Sequence, residues 1–127
     1  MAQAQTVLLI ATDTRGRNMM AAGLAMYGYE VITANYTEAA ELLGSKARLN
    51  VIVVDADLDA TDVLGGIGQL AREVSRGIDV IYTSRMPHRL SPQRKVSGAP
   101  ILREPFHPHQ LASVIAHMRH RPSHAAA

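Results

Sequence analysis

Asp55 is where side-chain chemistry is easiest to place in this chain. It ends the apolar run Val51-Ile52-Val53-Val54 and opens an acidic loop, Asp55-Ala56-Asp57-Leu58-Asp59. Four apolar residues bounded by Asn50 and Asp55 read as a strand buried on both faces, the pattern of a parallel sheet. A carboxylate just past such a strand lies at the carboxyl edge, where open α/β sheets bind their ligands. There it can hold a ligand, or it can simply cap the loop. Its neighbours decide whether it is reactive.

Two other groups invite chemistry. His107-Pro108-His109 is followed by His117, His120 and His124, with His109 and His117 two helical turns apart. No carboxylate accompanies them and no spacing matches a zinc motif. The better reading is an exposed histidine-rich helix, which would make a basic face sensitive to pH. The segment Thr12-Asp13-Thr14-Arg15-Gly16 carries Thr-x-Thr after the first strand and is similar to the phosphate loop of flavodoxins. Flavin binding favours aromatic stacking, and the chain has no Trp, one Phe and four Tyr. No Gly-rich nucleotide loop, Ser-His-Asp set or paired-carboxylate arrangement stands out. The expectation is a protein that is not an enzyme.

The 127 residues suffice for one domain with a core, and 47% of them are apolar. Zero cysteines exclude disulfides, thiolate chemistry and cysteine zinc sites. No apolar run is long enough to span a membrane, and Met1 to Gln5 lacks a signal-peptide pattern, so the expected location is cytoplasmic. The net charge of +2 hides an asymmetry. Residues 1–79 hold six Lys/Arg against ten Asp/Glu, and residues 80–127 hold seven against one, Glu104. A basic C-terminal third favours an acidic partner surface. No separate reading element such as a helix-turn-helix accompanies the charge, so nucleic-acid binding is not expected.

Strand-like and helix-like stretches alternate. Strands are expected at Val7–Ala11, Val31–Ala34, Val51–Val54, Val80–Thr83 and Ile101–Arg103. A helix from about Asn18 to Tyr27 places Met20, Leu24 and Tyr27 on one face and ends at Gly28, which accepts a left-handed cap. A second helix spans Thr37 to Lys46, with Thr37 as N-cap. A third shows the stripe Val63, Ile67, Leu70, Ala71 and Val74. Pro87 and Pro92 limit Met86–Gly98 to one short helix. In the last helix Leu111, Val114, Ile115 and Met118 follow the i, i+3, i+4, i+7 pattern, with Pro108 in its first turn. The fold expected is α/β: a doubly wound five-stranded parallel sheet, order 2-1-3-4-5, flavodoxin-like. It forms one domain over residues 1–120, with a disordered tail at 121–127.

With these elements in this order, the chain resembles the receiver domain of bacterial two-component response regulators, from Val7 to about Met118. It is most similar to single-domain receivers with a shortened fourth helix and a Gly-Ala-x-x-Leu-x-Lys-Pro ending. That ending here reads Gly98-Ala99-Pro100-Ile101-Leu102-Arg103-Glu104-Pro105. The resemblance makes Asp55 the phospho-accepting aspartate and Ser84 the hydroxyl that bonds a phosphoryl oxygen. Asp62 and Leu64 fit the loop and helix start after the acceptor.

Three departures go with it. The Mg²⁺-holding acidic pair falls on Ala11 and Thr12, with Asp13 one position late. The lysine before Pro is Glu104. The aromatic switch residue is Ile101. Arg85, after Ser84, could pair with Asp55 or Glu104. The resemblance then implies an atypical stand-alone receiver with impaired Mg²⁺-dependent phosphorylation, acting through protein–protein interaction. No cofactor is expected beyond a weak Mg²⁺ at Asp13 and Asp55. The alternatives are an ordinary phospho-accepting receiver in a phosphorelay and a flavin- or nucleotide-binding flavodoxin-like protein. The implied partner is a histidine kinase, phosphotransferase or downstream regulator with an acidic surface. It would meet Arg89, Arg94, Lys95 and Arg103 on the face built by the short helix, strand five and the last helix, a face that also forms homodimers.

Overall fold

The computed structural model describes residues 5–10, 14–45, 48–56, 66–74, 77–89, 96 and 98–120. Five parallel strands form one sheet in the order β2-β1-β3-β4-β5. They are β1 (Thr6–Ile10), β2 (Glu30–Ala34), β3 (Val51–Asp55), β4 (Asp79–Ser84) and β5 (Ile101–Arg103). Between them run α1 (Thr14–Ala25), α2 (Tyr36–Gly44), α3 (Ile67–Val74) and a 3-10 turn (Pro87–Arg89), and α4 (Pro108–His120) follows β5.

The apolar runs are explained by burial on two sides. Leu8, Ile10, Ile52, Val54, Val80 and Tyr82 pack with residues of α2 and α3, including Ala39, Leu43, Ile67 and Ala71. Val7, Leu9, Val51, Val53 and Ile81 pack with Leu24 of α1 and with Leu111, Ala112, Ile115 and Met118 of α4. A strand covered on both faces has no polar side to alternate with. The expected order of strands is the observed one.

Several boundaries differ from expectation. α1 begins at Thr14, four residues early, and stops at Ala25. Leu24 is buried and Met20 packs beside it, but Tyr27 lies past the helix end and is exposed. Gly28 does take the left-handed conformation, with φ at 91°. α2 is capped by Asn35 and not by Thr37. The Asn35 side chain accepts from the Glu38 N–H at 2.8 Å, and Glu38 accepts from the Asn35 N–H at 2.9 Å. This reciprocal box satisfies two backbone donors at once, which a threonine inside the first turn does not. In α3, Ile67 and Ala71 are buried, whereas Leu70 and Val74 are exposed. The fourth helical segment is present as the 3-10 turn, and residues 90–95 and 121–127 lie outside the described residues. Among the described residues, no helix is long and apolar enough to cross a membrane.

The amino-terminal ends of the strands are fastened by polar contacts. Asn50 exchanges bonds with Thr6: its N–H donates to the Thr6 carbonyl at 2.9 Å, and its Oδ1 accepts the Thr6 N–H at 2.8 Å. Arg119 of α4 reaches Asp79 at 2.7 Å, and the same nitrogen also meets the Asn50 and Gly77 carbonyls at 3.4 and 3.5 Å. Both partners of the ion pair are largely shielded, which strengthens it over an exposed one.

Candidate functional site at the carboxyl edge

Parallel pairing brings the ends of β3, β4 and β5 together. Asp55 is the last residue of β3 and lies opposite Thr83. Ser84 ends β4 opposite Arg103. Thr83 and Ser84 are buried, while Asp55 is half-buried with a side open to solvent. The Ser84 hydroxyl accepts the Met86 N–H at 3.0 Å, which turns the chain sharply after β4. On the other side, the Glu104 N–H donates to the Ser84 carbonyl at 2.8 Å. Glu104 is thereby set beside Ser84, and its peptide to Pro105 is cis.

Two carboxylates therefore mark this edge, Asp55 ending β3 and Glu104 following β5, with β4 between them. Two strand spacings separate their backbones by about 10 Å. Arg85, the first residue past β4, is exposed. Asp55, Ser84, Arg85 and Glu104 all have polar or electrostatic partners. Ile101 is half-buried opposite Tyr82, and Arg103 is exposed. Ala11, Thr12 and Asp13 lie outside the described residues, as do Asp57, Asp59, Asp62, Leu64, Arg94, Lys95 and the Arg89 side chain.

Two polar residues escape a reading of the chain alone. Arg17, in the first turns of α1, has its Nε buried and takes part in another polar or electrostatic contact. The signal was its position, a cation four residues after Asp13. Tyr82 is the second; nothing in the strand-like run Val80-Ile81-Tyr82-Thr83 announces what its hydroxyl does.

The histidines stand elsewhere. The His107 and His109 rings stack with centroids 5.6 Å apart and planes 11° from parallel. They line a shallow groove with Gly23, Met26, Tyr27 and Pro108 between α1 and the start of α4. Among the described residues, no group of three or more His, Cys, Asp or Glu is placed to hold a metal.

A parallel sheet in this order, covered on both faces, with a carboxylate ending its central strand, is the fold of response-regulator receiver domains. Solved structures share this fold. A response regulator receiver protein from Sinorhizobium medicae superposes with a TM-score of 0.75 at 21% identity, covering 91% of this chain and 94% of that one. The chemotaxis response regulator CheY4 of Vibrio cholerae gives 0.70 at 24% identity, covering 90% and 98%. The beryllofluoride-activated receiver domain of DrrB, from Thermotoga maritima, gives 0.73 at 19% identity, covering 94% and 100%. At these identities the likeness is one of fold. No family model matches the sequence, and no curated protein matches it.

Proposed function

We propose that the chain is a receiver-type signalling module that works inside the cell by binding another protein, with phosphoryl chemistry at Asp55 impaired. The observation that carries this reading is the placement of Glu104. Its backbone N–H is bonded to the carbonyl of Ser84, so an acidic residue follows β5 next to the strand end that carries the hydroxyl. Phosphoryl transfer relies on positioning and on neutralising the charge of the equatorial oxygens. Where the resemblance implies a lysine, this edge has an anion, a change of two charge units.

The fit of Mg²⁺ is poor for a separate reason, the scarcity of gathered carboxylates. Mg²⁺ takes near-octahedral oxygen ligands, usually one or two carboxylates with water. Asp55 and Glu104 are held apart by β4, and Ala11 and Thr12 bring no carboxylate. Asp13 is the remaining acidic residue after β1 in sequence. Arg85 serves as a fixed cation for Asp55 or Glu104 and holds the edge in one state without phosphate. Partner binding is then the output. The basic residues Arg89, Arg94, Lys95 and Arg103 in the sequence favour a partner with an acidic surface, a kinase, phosphotransferase or downstream regulator, and the side of the sheet formed by β5 offers a route to a homodimer.

The test is a backbone amide NMR titration with Mg²⁺ and beryllofluoride on wild type and Asp55→Asn. The expected result is no saturable shift around Asp55 and Ser84 at millimolar Mg²⁺ in either chain. Saturable shifts that vanish in Asp55→Asn would instead establish an ordinary phospho-accepting receiver, the reading favoured by Asp55 at the end of β3 and the buried Ser84 hydroxyl. The partner face has its own check. Binding of a poly-glutamate peptide, standing in for an acidic partner, should weaken about tenfold or more when Arg89 and Arg94 are both changed to Glu. Unchanged binding would move the partner to another face.

A further inference from the structure

β5 is the weakest-held strand of the sheet. It has three residues, it lies at an edge, and it pairs only with β4. Few ladder bonds fix its register, so contacts outside the ladder must. Tyr82 of β4 supplies one backbone bond at the start of the ladder and one contact beyond it. Its backbone N–H donates to the Pro100 carbonyl at 2.9 Å, immediately before β5. Its hydroxyl, at the far end of a buried side chain, accepts the Val96 N–H at 3.0 Å. Val96 in turn accepts the Ala99 N–H at 3.1 Å, which closes the turn between the two anchored points.

The same hydroxyl is boxed in from below. A Cβ added to Gly68 of α3 would collide with it, so only glycine leaves room for the ring to extend that far. Val96 and Ala99 pack into the core cluster that holds Tyr82 and Ile67. Tyr82 also lies directly opposite Ile101, the first residue of β5. One side chain thus meets α3, the turn before β5 and β5 itself.

We infer that Tyr82 is the positioning residue of β5: its hydroxyl fixes the turn before the strand, and so sets where Arg103 and Glu104 emerge at the other end. The position of this edge is then determined from inside the sheet, not by chemistry at Asp55. This goes beyond the proposed partner binding and does not depend on it.

The experiment is residue-resolved amide hydrogen exchange on wild type and Tyr82→Phe, which keeps the ring and removes the oxygen. The Val96 amide is expected to exchange about tenfold faster or more in Tyr82→Phe, the effect of losing one buried hydrogen bond. The Leu102 and Glu104 amides should lose protection with it, while those of Leu8 and Val53 in the central strands stay as they were. An unchanged Val96 amide would overturn the inference. So would an equal acceleration of all core amides, because that reports general loss of stability. If Tyr82→Phe does not fold, the wild-type Val96 amide decides alone. Slow exchange comparable to the sheet amides supports the tie, and exchange at the rate of a free peptide overturns it. Failure of the partner reading would leave each of these outcomes as it is, because no partner is present in the experiment.

Discussion

Glu104→Lys should show a saturable response to beryllofluoride at millimolar Mg²⁺, where the wild-type chain shows none. Glu104 follows β5 and is bonded through its backbone to Ser84, one strand away from Asp55. Two unit charges about 10 Å apart interact by roughly 1–2 kcal/mol at an effective dielectric near 20. Salt at physiological strength screens part of that, since the Debye length is about 8 Å. Reversing the charge changes it by two units, so a gain of about 1–3 kcal/mol toward an anion at Asp55 remains. Glu104→Gln removes only the repulsion and should fall between the two. The responses are read from the same amide titration as for Asp55→Asn. The same response in all three chains would mean that the Glu104 carboxylate does not act on this edge. It would also remove the main support for an impaired site.

The largest loss of stability is expected from Ile52→Ala. Ile52 is fully buried in β3, with β1 on one side and β4 on the other. Its side chain belongs to the cluster that packs β3 against α2 and α3. Truncating such a residue loses its transfer free energy and leaves a cavity, for a cost of about 2–5 kcal/mol. That is a large fraction of the roughly 5–15 kcal/mol typical of a folded domain. The melting temperature should fall by on the order of 10 °C or more. Urea denaturation followed by far-UV circular dichroism measures the cost directly. A loss below about 1 kcal/mol would show that the α2–α3 side of the sheet is loosely packed.

Legibility followed how local each signal was. Strand β3 and Asp55 were readable because a four-residue apolar run with a polar residue at each end has few other uses. Gly28 and Pro108 mark helix ends through backbone rules that need no tertiary context. The start of α1 was not readable from periodicity, because Thr14-Arg15-Gly16-Arg17 contributes no apolar stripe. The Asn35 cap was present in the sequence as Asn-x-x-Glu, and attending to that box would have placed α2 correctly. Leu70 and Val74 matched a helical stripe, yet burial depends on which neighbours arrive, and periodicity does not report that. The placement of Glu104 beside Ser84 needed strand order and register together. The Tyr82 tie needed more still, since it joins residues from α3, β4 and the approach to β5.

Arg119 gives the sheet a mechanical asymmetry. One guanidinium nitrogen pulls together Asp79, Asn50 and Gly77 at the end of the sheet remote from Asp55. The rivet joins the starts of β3 and β4, and Asn50 in turn is tied to Thr6 at the start of β1. A partner that grips the Asp55 edge thus meets the end of the sheet opposite the one this guanidinium clamps.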